Sequence, residues 1–215
     1  MQRRTGIRSS IPKFWLFIAA VLVFYGGYYW GNRHAPKVSA HKVLRLIEPA
    51  VAISSVKLQD QYGNRFTEER FKDHWNLVLF GYTRATETNR ETLYLATRVI
   101  NRLADIPDLQ RATRVIFVSL DSEYDTPAVL KTFIDYFSPE FLALTGNPGE
   151  VHALASQLGV RYGKPRTTMG TLHIDHSTSI GLIGPDGKLR GLFTGLVDEV
   201  SIASDLKQLS ERYLN

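Results

Sequence analysis

With 215 residues, of which 44% are hydrophobic and 22% charged, the chain has the makeup of one folded domain plus a membrane segment, which excludes long disorder and a second full domain. It contains no cysteine, so disulfides, thiolate nucleophiles and thiolate metal ligands are excluded from this sequence. The net charge is +5, but eight basic and no acidic residues fall in positions 1–45, leaving 18 basic against 21 acidic beyond them; a folded part of that sign has no electrostatic footprint for nucleic acid.

The first element in chain order is an apolar run. Residues 1–13 form a basic segment, and residues 14–30, FWLFIAAVLVFYGGYYW, carry no charge. Extended back to Ile11, the run has about 20 residues and crosses a hydrocarbon core of about 30 Å at roughly 1.5 Å per residue. Phe14 and Trp15 at one end and Tyr28, Tyr29 and Trp30 at the other suit the two interfaces. A cleaved signal ending at Val38-Ser39-Ala40 is the alternative, but the run exceeds the roughly 7–15 apolar residues of a signal core. Four basic residues precede the segment and four follow it, so positive charge alone does not orient it. The basic arm suits anionic lipid headgroups.

Residues 31–50 read as a tether, and the folded domain is expected over 51–215. Its first feature is alternation around the turn Tyr62-Gly63-Asn64, the pattern of a hairpin. WNLVLFGY at 75–82 is a strand buried on both faces. A helix over 87–103 follows, with Leu93, Ala96, Ile100 and Leu103 on its buried face. RVIFVSL at 114–120 is a second buried strand. Asp125-Thr126-Pro127 starts a helix with a capping side chain and proline at its first position. Asn147-Pro148-Gly149-Glu150 repeats the device as a capping box, with a stop at Gly159. Residues 173–184 and 188–195 flank the turn Pro185-Asp186-Gly187, and an amphipathic helix closes the chain over 200–213. Buried strands alternating with helices imply an α/β fold, a thioredoxin-like mixed sheet flanked by helices, parallel in the middle and antiparallel at one edge.

Four segments carry a family resemblance: VKLQDQYGN at 56–64, LVLFGYTRATETNRETL at 77–93, SLDSEYDTP at 119–127, and LTGNPGEV with IDHSTSIGLIGPDG at 144–151 and 174–187. Together and in this order they resemble the SCO/SenC family of copper chaperones for cytochrome oxidase assembly. The resemblance implies a single-pass anchor in the inner (cytoplasmic) membrane, a soluble domain in the periplasm, and a respiratory oxidase subunit or copper chaperone as partner. It also implies a Cys-x-x-x-Cys pair at the start of the helix after Phe-Gly-Tyr-Thr, joined by a distant histidine. Such a set brings two soft thiolates and an imidazole to copper.

Asp175-His176-Ser177 matches the histidine motif, but the two cysteine positions hold Ala85 and Asn89, with Thr86 and Arg90 where prolines often follow. A methyl group binds no metal, and a neutral amide is a poor donor to Cu(I). Copper remains a candidate cofactor only through other donors. His176 is then the family-matched metal ligand, with Glu87 and His173 as further candidates; His173 converges with His176 only if the backbone leaves the strand between them. Asp121, Glu123 and Asp125 lie after a strand, where open sheets place sites, although helix capping accounts for Asp125. Residues 181–187 form a hairpin and not a phosphate loop, because no helix follows directly. No nucleophile elbow, Walker sequence or helical zinc-ligand pair is present. Two functions follow: an assembly protein acting by protein interaction, with no enzymatic turnover, or a Cu(II)-binding protein built on His176. A thioredoxin-like or peroxiredoxin-like enzyme is excluded for want of a thiol.

Overall fold

The computed structural model describes residues 13–34, 43–84, 87–163, 166–168 and 171–214, with the backbone alone at 32–34, 87–89, 166–168, 171–173 and 214. The chain divides into two units, residues 1–39 and 40–215. In the first, helix α1 (Lys13–His34) contains a 19-residue stretch long and apolar enough to cross a membrane. The helix continues past residue 30 to His34.

The second unit is built on an eight-stranded sheet. Strand β1 (Leu44–Ala52) is followed by the short pair β2 (Leu58–Asp60) and β3 (Arg65–Phe66), a 3₁₀ turn (Glu68–Phe71) and β4 (Trp75–Gly81). Helices α2 (Glu87–Arg102) and α3 (Pro107–Ala112) lead to β5 (Thr113–Ser119), then α4 (Pro127–Asp135), β6 (Leu142–Thr145) and α5 (Pro148–Gln157). A separate two-stranded pair, β7 (Arg166–Thr168) and β8 (Thr171–His173), precedes β9 (Ile180–Ile183), β10 (Lys188–Phe193) and α6 (Glu199–Leu214). The order across the large sheet is β1-β10-β9-β4-β5-β6-β2-β3.

Three central strands run parallel, β4 with β5 and β5 with β6. Antiparallel pairs flank them on both sides, β9, β10 and β1 beyond β4, and β2 and β3 beyond β6. The expectation of one antiparallel edge is corrected to two. The physical reason is β6: its four residues, LALT, are too short a run to separate from a helix end by periodicity, and without it the β2–β3 hairpin has no neighbour to extend. The expected tether over 31–50 is also corrected, since Leu44 to Ala52 form an edge strand. Pro49 removes a backbone donor inside that strand, which breaks the alternating signal. Its register with β10 shifts between Leu46 and Val51 around the proline.

Alternation along the strands assigns the two faces. Trp75, Leu77 and Leu79 of β4 join Val115 and Phe117 of β5 beneath α2, α4 and α6, which contribute Leu93, Val99, Leu130, Ile134, Ile202 and Leu206, with Leu103 just past α2. Val99 takes the deep position expected for Ile100, which is only partly buried. On the opposite face Val78, Phe80, Ile116 and Val118 pack against Phe66, Phe71 and the apolar side of α5, Val151, Leu154 and Leu158. Thr126 caps α4 with its hydroxyl accepting from Val129 N at 3.4 Å, and Asn147 caps α5, accepting from Gly149 N at 2.9 Å. Gly159, at φ +66°, ends α5 in the left-handed region that glycine enters without penalty. At the edge, Asp205 of α6 is buried and its Oδ2 accepts from Val43 N and Leu44 N, both at 2.8 Å, which fixes where the sheet begins.

Candidate functional site

The site lies where β4 ends, because a fully buried parallel strand delivers its next residues to the rim of the sheet. Tyr82 is the first of them and is itself buried. Its hydroxyl accepts a hydrogen bond from Ile174 N at 3.2 Å. Its ring meets the His176 imidazole edge to face, with centroids 6.4 Å apart. One aromatic residue therefore ties the strand to the segment that carries the histidine.

That segment is held by backbone pairing as well. Tyr162 and His176 form an isolated antiparallel bridge. Gly163 N donates to Asp175 O at 2.7 Å and Ser177 N to Arg161 O at 3.0 Å. His176 is half-buried, and its Nδ1 stands 3.2 Å from Ser177 O. His173 is the last residue of β8, so the backbone does leave the strand between the two histidines. The pair β7–β8 places Arg166 opposite His173.

Thr83 and Arg84, the next two residues, are held by carboxylates from the loop after β5. Asp125 is fully buried; its Oδ2 accepts from Thr83 N at 3.0 Å and from Ser119 Oγ at 2.5 Å, and its Oδ1 from Thr83 Oγ1 at 2.5 Å. Burial pushes the Asp125 carboxyl above its ordinary value, although these hydrogen bonds oppose the rise. Asp121, also buried, accepts from Arg84 Nε at 3.0 Å and Nη2 at 2.7 Å. That hydrogen bond keeps the guanidinium more firmly protonated than usual, and the Tyr124 ring lies 4.2 Å beneath it.

The expectation that helix capping accounts for Asp125 is thereby corrected. Thr126 is the cap, and Asp125 reaches across to Thr83 instead. The signal was present in the sequence: Asp125 and Thr126 are both able to cap, and one helix start uses a single such residue. Glu123 is exposed and joins neither contact. Tyr82 went unnoticed because an aromatic residue at the end of an apolar run reads as core.

Of the candidate metal positions, Glu87 and Asn89 belong to the first turn of α2 by their backbone. Ala85 lies outside the described residues, as do the side chains of Glu87, Asn89 and His173. Among the described residues, no three His, Asp or Glu side chains stand together as a metal cluster. A methyl and a neutral amide at positions 85 and 89 do not fit the soft cuprous ion that the resemblance implies.

The comparisons with known proteins agree with this geometry. The SCO1/SenC family model matches residues 47–211. A protein of Stutzerimonas stutzeri whose name refers to copper binding is 31% identical over 140 residues, covering 65% of this chain and 68% of that protein. The human mitochondrial SCO1 homolog is 28% identical over 187 residues, which cover 85% of this chain but only 62% of the human protein. Among solved structures, Bradyrhizobium japonicum ScoI with copper bound superposes with a TM-score of 0.63 at 29% identity, over 73% of this chain and 99% of that one. The mixed sheet with its flanking helices is the thioredoxin-like arrangement of these Sco structures.

Proposed function

The chain belongs to the SCO1/SenC family, and we propose that it serves cytochrome oxidase assembly through protein contact, without holding copper on thiolates. The family takes part in oxidase assembly and copper handling. One observation carries the proposal: the Tyr82–His176 contact and the carboxylate clamps on Thr83 and Arg84 are built in a chain of 215 residues with no cysteine. A scaffold that keeps the rim in place while lacking the soft donors retains a surface for partners and loses the means to carry Cu(I).

In this reading residues 14–30 anchor the chain in the inner membrane and the folded domain stands in the periplasm, where it meets an oxidase subunit or a copper chaperone. The apolar helix α1 and the basic flanks support the anchor. No turnover chemistry is assigned to the domain, since family members are chaperones rather than enzymes. Affinity purification from membranes solubilised in a mild detergent tests the proposal. Co-recovery of an oxidase subunit or a copper-handling protein is expected. Recovery of neither, with the bait intact, contradicts it.

A further inference from the structure

At the end of the sheet opposite Tyr82 lies a concavity of about 470 Å³, at the end of α3 and the start of β5. Its polar lining includes His74, Gln110, Arg111 and Arg114, and its apolar lining includes Val115 and Phe137. The volume is that of a small-molecule site, which is usually apolar with a few placed polar groups.

Arg114 sets this concavity apart. Among the described residues it is the one arginine that is neither exposed nor ion-paired: the half-buried Arg70 and Arg190 have Asp60 and Asp186, whereas Arg114 has no carboxylate. Its Nη1 donates to Arg70 O at 3.0 Å. Its Nη2 stands 3.0 Å from His74 Nδ1 and 2.9 Å from Nε2. Nη2 thus spends its hydrogen bonding on the imidazole. His74 Nδ1 has its own partner, Lys72 O, at 3.1 Å. A guanidinium carries five N–H donors in a planar fork, and at least two of these, Nε–H among them, meet no acceptor. Burial, together with the Arg70 charge, pushes Arg114 below its ordinary value, as expected for a half-buried cation without a counter-ion.

The surrounding charges do not supply the missing anion. Arg111 on the rim pairs with Asp108. Glu140 also lines the concavity, but it is exposed and makes no ion pair with Arg114. We propose that this concavity binds a carboxylate-bearing organic anion, whose carboxylate takes the unused donors of Arg114 and whose apolar body lies against the partly exposed Ile100 and Phe137. The fork geometry matches a carboxylate bidentately, and the apolar wall distinguishes such a ligand from a bare inorganic anion.

The test is calorimetric titration of the full chain in neutral detergent with benzoate, with benzamide and with inorganic phosphate, at matched ionic strength. Benzoate is expected to give saturable binding at one site, and benzamide and phosphate to bind at least about tenfold more weakly, the scale of a lost charge-assisted hydrogen bond. Arg114→Gln should weaken benzoate by about tenfold or more. Glu140→Gln, which removes the one opposing carboxylate and leaves the fold's buried contacts alone, should tighten it. Absence of saturable benzoate binding overturns the proposal, as does benzoate affinity unchanged in a folded Arg114→Gln. Should Arg114→Gln fail to fold, the Glu140→Gln titration decides, and no tightening there overturns it. Phosphate binding as tight as benzoate overturns the assignment of an apolar body.

Discussion

Asp125 shows how a single residue shapes the rim. It accepts two hydrogen bonds from Thr83 and one from Ser119 while fully buried, so it fixes the residue that precedes the changed ligand positions. Asp125→Ala leaves Thr83 N without an acceptor and should lower stability by about 1–3 kcal/mol, measured by thermal or denaturant unfolding. Its titration gives a second prediction. Because the folded-state value is raised, the folded chain holds the proton more tightly than the unfolded chain, so this group favours folding below the ordinary value of 3.8 and that contribution is lost as pH rises through the raised value. Asp125→Asn removes this loss, so its Tm relative to the parent should improve from about pH 4 to about pH 7. Asp60 has the opposite sense. Burial alone would raise it, but hydrogen bonds from Arg70, Asn64 and Tyr62 together outweigh burial and lower it, so its support is present at neutral pH and lost in acid. Tyr82→Phe deletes the acceptor for Ile174 N and should cost about 1 kcal/mol, with faster amide exchange at Ile174 as the sign that the His176 segment has loosened.

At the scale of elements, the sequence was most readable where punctuation and periodicity agreed. Both proline-led helix starts, at Pro127 and Pro148, and the turn at Pro185-Asp186-Gly187 stand as expected, because proline and capping side chains act locally. What failed was short or doubly determined. Strand β6 has four residues, β7 and β8 have three each, and pairings of that length depend on partners distant in sequence. Strand β1 was hidden by Pro49. Its place at the edge rests on Gly191, where an added Cβ would lie 2.5 Å from Arg45 O. Gly191→Ala should therefore push β1 from β10 and destabilise the fold by about 1–3 kcal/mol, whereas the same change at Gly63, where an added Cβ meets nothing within 4 Å, acts only through its positive φ. Loss of amide protection confined to residues 44–52 would locate the damage in β1.

For the molecule as a whole, the family was legible because its motifs lie at strand ends and loops, where chemistry rather than packing selects residues. The altered positions were legible for the same reason: alanine and asparagine in place of cysteine change donor chemistry, and the sequence itself displays that change. The contacts that hold the rim together were not legible, because Tyr82 with Ile174 and Thr83 with Asp125 join residues far apart in the chain. Membrane attachment through α1 predicts that the full chain stays with membranes after alkaline extraction, and that a chain lacking residues 1–39 is released. The central claim is that this scaffold works by protein contact and carries no copper of its own. Copper stoichiometry of the purified full chain, after incubation with Cu(I) and separately with Cu(II) followed by desalting, tests it most directly. Far less than one copper per chain, unchanged in His176→Ala, is the result predicted. One copper per chain that disappears in His176→Ala would contradict the claim.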